Sequence, residues 1–292
     1  MNDYVLLTDS SADLTDALVK ELGVEVLPLS FTMRNKTYRN WPDNREIDPK
    51  DFYRQLREGE MATTSAVNVS DFTETIEPHL KEGRDVLVVA FSSGLSATCH
   101  SAQIAAQELS EQYPERKVYV VDSLCASLGQ GLLVWYAARM KNEGRGIGEV
   151  RDWLEENKLH LVHNFTVNDL FHLYRGGRVS KTAAFVGTMI SLKPILHVDN
   201  EGHLIPLSKV RGRKKSLIAL VDAMEKQLGS WRDQNDVVFI SHGDCIEDAQ
   251  FVANRIKEQF GYDSFLINYV GPTIGAHTGP GVVALFYMGD YR

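Results

Sequence analysis

Three turns rich in hydroxyl side chains follow short β-rich segments in the first half of the chain, at residues 8–11, 92–96 and 122–123. The middle turn reads Ser-Ser-Gly-Leu-Ser and leads into a predicted helix, whose free N–H groups and dipole favour an oxyanion. Ligands of parallel sheets bind at the edge where the carboxyl ends of the strands meet. We therefore expect Ser92 and Ser93 to bind a carboxylate or a phosphate.

A second group of hydroxyls, Thr63-Thr64-Ser65, precedes a predicted helix that Ser70 would cap. These hydroxyls are candidate hydrogen-bond donors to a ligand. The alternative is an ordinary solvated loop, and for residues 92–96 it is a turn in which Ser96 serves only as a helix N-cap.

Residues 94–98 also begin like the nucleophile elbow of serine hydrolases, Gly-x-Ser-x-Gly. The fifth position is Thr98 where that motif has glycine, and no serine–histidine–acid order follows it. Nucleophilic catalysis at this turn is therefore the weaker interpretation.

A glycine-rich segment, residues 271–281, carries His277 in its middle. Its four glycines and two prolines indicate a loop, because this composition disfavours both a helix and a regular central strand. A histidine fixed in such a loop can donate a hydrogen bond to an anion. The alternative is a structural histidine with no ligand.

Cations are concentrated at two places, Arg175–Arg178 and the run 209–215. Five cations at the start of a predicted helix oppose its dipole, so stability alone does not account for them. Arg178 and Arg211 are candidates for contact with an acidic partner or a phosphate, and a solvated charged surface is the alternative.

Composition narrows the class of protein. The chain has 292 residues, a formal net charge of −8 and three cysteines. The negative charge argues against nucleic-acid binding, and the apolar runs are too short for membrane insertion. The N-terminal segment does not resemble a signal peptide, the cysteine count fits a reducing cytoplasm, and the spacing of His and Cys residues predicts no metal site.

Alternating strands and helices in the first half predict a parallel sheet, and the second half mixes strands and helices differently. We expect an α/β chain of two domains. Residues 1–160 would form a three-layer α/β/α domain with a mainly parallel sheet, and residues 161–292 a two-layer α+β domain with a mixed sheet. The junction falls near residues 155–165.

The ordered set of motifs resembles the DegV family of bacterial fatty-acid-binding proteins, including the FakB type that serves fatty acid kinase. The resemblance covers essentially the whole chain. Each motif alone is weak evidence for the family, but the complete set in this order is specific. The motifs are Thr8–Leu14, Ser92–Thr98, Val121–Ser123, Leu173–Ser180, Lys193–Leu196, Lys209–Lys215 and Gly275–Gly281.

This resemblance implies a carrier without catalytic activity or cofactor. A long-chain fatty acid such as palmitate or oleate would lie in a buried tunnel, its carboxylate bound by Thr64, Ser92, Ser93 and His277. A separate fatty acid kinase subunit would phosphorylate that carboxyl group. Residues 66–68, Ala-Val-Asn, depart from the family's Gln-Pro-Ser, which puts the rigidity of the Thr64 loop and the chain-length preference in doubt.

The apolar segments 132–136 and 185–192 are candidate tunnel walls, or plain core. The alternative function is a phosphotransferase-like or hydrolytic enzyme that acts through His277 or Ser93. The absence of a nucleotide-binding loop from the sequence weighs against it.

Overall fold

The computed structural model describes residues 4–168, 170–180 and 192–292. Within these residues the strands are β1 (Tyr4–Asp9), β2 (Val24–Leu27), β3 (Ser30–Met33), β4 (Lys36–Arg39), β5 (Ala62–Ser65), β6 (Asp85–Ala90), β7 (Val118–Asp122), β8 (Leu161–Thr166), β9 (Leu192–Val198), β10 (Leu204–Arg211), β11 (Val238–His242), β12 (Phe265–Tyr269) and β13 (Val283–Met288).

The α-helices of the same residues are α1 (Asp16–Leu22), α2 (Pro49–Arg57), α3 (Val69–Lys81), α4 (Thr98–Gln112), α5 (Leu128–Asn142), α6 (Ile147–Asn157), α7 (Phe171–Arg175), α8 (Arg213–Gln227), α9 (Ile246–Phe260) and α10 (Pro272–Thr278).

The first sheet has the strand order β2-β1-β6-β7, and its strands pair in parallel. Its central strands β1 and β6 are buried along their whole length, as expected when helices cover both faces. Helices α3 and α4 pack on one face, and α5 and α6 pack on the other. This is the three-layer α/β/α arrangement that the sequence predicted.

The second sheet has the order β10-β9-β8-β13-β11-β12. Strands β11 and β12 are parallel and the other neighbours are antiparallel, so the sheet is mixed as predicted. Helices α8 and α9 cover one face through a separate core cluster. The fold class predicted from the sequence is confirmed.

Helix α5 joins the two sheets. It contacts β1 and β6 of the first sheet and β8, β11 and β13 of the second. Its buried residues lie all around the axis, which is the pattern of a helix enclosed by protein. One hydrophobic cluster therefore runs from the first sheet through α5 to the second. The division at residues 160/161 stays a prediction.

A third sheet, with the antiparallel order β4-β3-β5, was not predicted. The segment 62–65, interpreted as a loop, pairs along its length with β3, where Phe31 lies opposite Thr64. Helix α3 is capped by Asn68, which forms a capping box with Asp71, so the prediction of Ser70 as cap was wrong. Pairing in β5 fixes the direction in which Thr64 points.

The prediction of a loop across the glycine-rich segment was also wrong, because residues 272–278 form helix α10. Pro272 stands in the first turn, where no backbone donor is required. Position 275, inside the helix, is occupied by glycine because a Cβ at this position would lie 2.6 Å from the Tyr53 hydroxyl oxygen. Gly279, at φ +73°, ends the helix. The helix, rather than loop rigidity, holds His277.

Candidate functional site

A cavity of about 250 Å³ lies where the three sheets meet. Strands β8 and β13 form part of its wall, together with α7, α10 and the turn after β6. Most of the wall is apolar: Leu29, Phe91, Leu95, Phe165, Leu173, Val198, Leu204, Val270, Ile274, Val282, Ala284 and Phe286. Such a cavity suits an apolar ligand of small cross-section.

Thr64 and His277 meet in the wall of this cavity. The distance between Thr64 Oγ1 and His277 Nε2 is 2.8 Å, although the residues are 213 positions apart in sequence. Strand β5 presents the threonine and helix α10 presents the histidine. The sequence analysis predicted that both residues bind one ligand, and the structure places them side by side.

The imidazole of His277 is held in its neutral form. Burial, together with the smaller effect of the nearby cations Arg178 and Arg175, lowers its pKa to about 4 from an ordinary value of 6.5. At neutral pH the ring therefore offers one N–H donor and carries no charge.

Arg178 lines the same cavity. Its Nε and Nη2 donate to Leu95 O at 3.1 and 2.9 Å, and its Nη1 donates to Gly176 O at 2.6 Å. No aspartate or glutamate among the described residues pairs with this guanidinium. Within the described part of the chain its positive charge at the cavity wall therefore has no carboxylate partner, and burial lowers the pKa of the group.

The structure places Ser92 and Ser93 outside the cavity lining. Ser92 is fully buried, and its Oγ donates to Gly202 O at 2.9 Å. Ser93 is exposed, and its backbone N–H donates to Asp122 Oδ1 at 3.1 Å. Their assignment to the carboxylate stays a prediction.

Ser96, in the same turn, does line the cavity. Its Oγ lies 2.9 Å from Thr98 Oγ1 and accepts a hydrogen bond from Thr98 N at 3.2 Å. The interpretation of Ser96 as the N-cap of α4 was wrong, because Ala97 holds that position and no side-chain cap is formed there. The missed signal is that a hydroxyl just before the first turn of α4 stands at the helix end that favours an anion.

Three further predicted residues or segments lie elsewhere. Arg211 is exposed at the end of β10 and does not line the cavity. Residues 132–136 lie within α5 and form core rather than cavity wall. Of the segment 185–192, only Leu192 belongs to the described residues, where it begins β9.

The arrangement suits binding of an anion more than nucleophilic catalysis. His277 Nε2 pairs with Thr64, and Ser93 is exposed outside the cavity, so these residues do not form a nucleophile–base pair. Thr64, Ser96 and the neutral histidine are donors, and Arg178 adds a positive charge.

No helix in the described ranges has the length and apolar character needed to cross a membrane.

Comparison with known proteins gives the family of this fold. A protein-family model described as "Uncharacterised protein, DegV family" matches residues 4–290. A DegV domain-containing protein of Clostridium perfringens is 46% identical over 292 residues, which is 100% of this chain and 99% of the relative.

Two solved structures are similar over nearly their whole length. One is described as fatty acid binding of a DegV family protein from Thermus thermophilus, and its sequence is 31% identical to this chain. The two structures superpose with a TM-score of 0.86, and the match covers 98% of this chain and 99% of the Thermus chain. The other is the Streptococcus pneumoniae Fatty Acid Kinase (Fak) B3 protein loaded with linoleic acid, with a TM-score of 0.84 and coverage of 99% and 100%. It is 20% identical and therefore supports the fold alone.

Proposed function

We propose that this chain, which belongs to the DegV family, binds a long-chain fatty acid non-covalently in the cavity. The carboxylate would lie at Thr64 and Ser96, with His277 hydrogen-bonded to Thr64 and Arg178 as the nearby positive charge. The observation that carries the proposal is that an apolar cavity ends in neutral donors and an arginine that no carboxylate of the described residues pairs with.

The free energies of burying a carboxylate and an acyl chain agree with the composition of the cavity wall. A buried carboxylate without partners costs several kcal/mol, so hydroxyl and N–H donors are needed where it sits. Burial of the acyl chain contributes roughly 0.8 kcal/mol for each methylene, and about fifteen methylenes exceed the cost of ordering the chain. The predominance of apolar side chains around the cavity supports this part of the proposal.

Binding can be tested directly on the purified protein. Native mass spectrometry of protein from a bacterial host should show an added mass equal to a long-chain fatty acid. After removal of lipid, palmitate or oleate should bind with a stoichiometry of one. A protein that is empty as purified and binds neither acid would contradict the proposal.

We further propose that the protein acts in the cytoplasm as a carrier rather than an enzyme, and presents the bound carboxyl group to a separate fatty acid kinase. Arg211 is the candidate docking residue, because it is exposed at the end of β10 beside the cations of α8. An acidic surface on the partner would match it.

The hand-off is measured as acyl phosphate formation by a fatty acid kinase subunit supplied with this protein. We expect Arg211→Ala to lower the rate of transfer without changing fatty acid affinity. Arg39→Ala, which alters an exposed arginine on the third sheet, is the matched control. Equal rates for both variants would remove Arg211 from the proposed interface.

A further inference from the structure

The two ring nitrogens of His277 have different surroundings. Nε2 lies 2.8 Å from Thr64 Oγ1. Nδ1 is buried and has no hydrogen-bond partner in the part of the chain that the structure describes. A buried nitrogen without a partner is unusual, and what covers it decides which nitrogen carries the proton.

Gly176 covers Nδ1. A Cβ built on this glycine would overlap Nδ1 and would lie 3.0 Å from Cε1 and 3.1 Å from Cγ of the same ring. The hydrogen that glycine carries in place of Cβ therefore points at Nδ1. Gly176 ends the short helix α7 in a right-handed conformation at φ −75°, so the absence of a side chain, and not a left-handed backbone, explains the glycine here.

We propose that Gly176 is a positioning residue that fixes His277 as the tautomer with its proton on Nε2. A proton on Nδ1 would meet the hydrogen on the Gly176 Cα, whereas the lone pair of an unprotonated Nδ1 accepts this C–H as a weak contact. An unpaired buried acceptor is also tolerated more readily than an unpaired buried N–H.

The tautomer determines the direction of hydrogen bonding in the site. With the proton on Nε2, the imidazole donates to Thr64 Oγ1, and the threonine hydroxyl directs its own proton to a ligand oxygen. The inference rests on the proposed function, because the group that accepts hydrogen bonds from this site is the fatty acid carboxylate. It adds that the ligand meets fixed donors and does not have to select one tautomer.

Arg178 holds the glycine in place. Its Nη1 donates to Gly176 O at 2.6 Å, while Nε and Nη2 bind Leu95 O. The arginine thus ties the turn that covers His277 to the turn that carries Ser96. These hydrogen bonds give Arg178 a structural role, and its predicted contact with a partner or a phosphate stays a prediction.

The tautomer can be read from the wild-type protein by NMR of a sample labelled with ¹⁵N-histidine, with the His277 signals identified by their loss in His277→Gln. We expect the resonance of an unprotonated Nδ1 and a protonated Nε2, both in lipid-free protein and with palmitate bound. A protonated Nδ1 in the neutral ring of the wild-type protein would overturn the inference.

Two adjacent glycines provide a matched pair of variants. In Gly176→Ala the methyl group pushes against Nδ1, and we expect fatty acid affinity to fall about ten- to a hundredfold, with altered His277 resonances. In the control Gly177→Ala nothing lies within 4 Å of the added methyl group, although its φ of +73° strains the backbone. The control should lower thermal stability and leave affinity and the ring resonances unchanged.

The outcomes separate this inference from the proposed function. Wild-type protein that binds no fatty acid contradicts the proposed function, whatever the tautomer. Wild-type protein that binds fatty acid while Gly176→Ala retains both its affinity and its ring resonances contradicts only the positioning role of Gly176. Equal losses of affinity in the two alanine variants would also contradict it, because general strain would then explain the effect.

Discussion

Thr64 carries the hydroxyl that links the cavity to His277, so its removal tests the polar end of the site. Thr64→Val keeps the shape of the side chain and removes the donor to a carboxylate. We expect about a tenfold loss of palmitate affinity, which corresponds to one hydrogen bond to a charged group, measured by calorimetric titration of lipid-free protein.

Serine variants serve as the comparison for Thr64→Val. Ser96 lines the cavity and Ser93 is exposed outside it, so we expect Ser96→Ala to weaken palmitate binding and Ser93→Ala to leave it unchanged. The opposite ranking would mean that the predicted role of Ser93 is correct and that the turn rearranges when the ligand enters.

His277 makes the stability of lipid-free protein depend on pH in a definite direction. The pKa of His277 is about 4 in the folded protein and about 6.5 in the unfolded chain. Between these pH values the imidazole is protonated in the unfolded chain and neutral in the folded protein. The contribution of His277 to the free energy of unfolding should fall as the pH drops from about 6.5 to about 4, by up to about 3 kcal/mol, and level off below that.

His277→Gln removes this contribution, and the difference between wild type and variant isolates it from the other histidines. Denaturant titrations between pH 4 and 7.5 should give a shallower acid loss in the variant. Parallel curves would show that the histidine titrates in the fold as it does in the unfolded chain, and the neutral-donor description of the site would be wrong.

Among the elements, the turn between β9 and β10 packs on the turn after β6. Gly202, at φ +80°, approaches so closely that a Cβ there would overlap Ser92 Oγ, and that oxygen donates to Gly202 O at 2.9 Å. It also accepts from Gly94 N at 3.2 Å. The buried Ser92 hydroxyl therefore joins an edge hairpin of the second sheet to the first.

Ser92→Ala should lower the free energy of unfolding by about 1–3 kcal/mol, because the buried Gly202 carbonyl and Gly94 N–H lose their partner. Palmitate affinity should change less than in Thr64→Val, since Ser92 does not line the cavity. Chemical denaturation and titration of the same sample measure both. The exposed neighbour Ser93→Ala is the control, with an expected change below about 0.5 kcal/mol.

Long, strongly patterned elements were predictable from the sequence and short or irregular ones were not. The apolar run at residues 86–91 predicts β6, observed at Asp85–Ala90, because a strand buried on both faces has no polar interruption. The polar strand β5 has no apolar run that would predict a strand. It is a strand because it pairs with β3, about thirty residues earlier in the chain, and such pairing leaves no local signal. Helix α10 was missed because Pro272 in the first turn and Gly275 against Tyr53 are favourable only in context.

The same distinction applies to the candidate site. The resemblance to the DegV family implies that Thr64 and His277 share a ligand, and the structure brings them together. No local pattern shows that Gly176 lies on the imidazole or that Asp13 is buried with its Oδ2 on Ser127, where burial raises the pKa of that aspartate to about 8. The N-cap of the following helix α1 is Thr15.

At the scale of the whole molecule, the two large sheets share one core through α5, which contacts strands of both. Removing either sheet would expose a helix that is buried on nearly every side. We therefore expect both sheets to unfold in one cooperative transition, even if the predicted boundary at residues 160/161 marks a true division of the backbone.

Arg292 is a second connection between the halves. Its buried guanidinium donates to carbonyl oxygens on both sides of the predicted boundary, at 2.6–3.0 Å: Leu124, Lys158, Leu161 and Asp199. Its Nη2 also lies 3.2 Å from Cys125 Sγ. One side chain thus satisfies several buried acceptors that have no common secondary structure.

Arg292→Met keeps much of the side-chain volume and leaves these carbonyls unpaired, so we expect the free energy of unfolding to fall by about 2–4 kcal/mol. Arg45→Met, at an exposed arginine paired with Asp43, should change it by less than about 1 kcal/mol. Because α5 still joins the sheets, circular dichroism and tryptophan fluorescence should report one coincident transition in each variant. Separate transitions in Arg292→Met alone would mean that the arginine, rather than the shared core, couples the two halves.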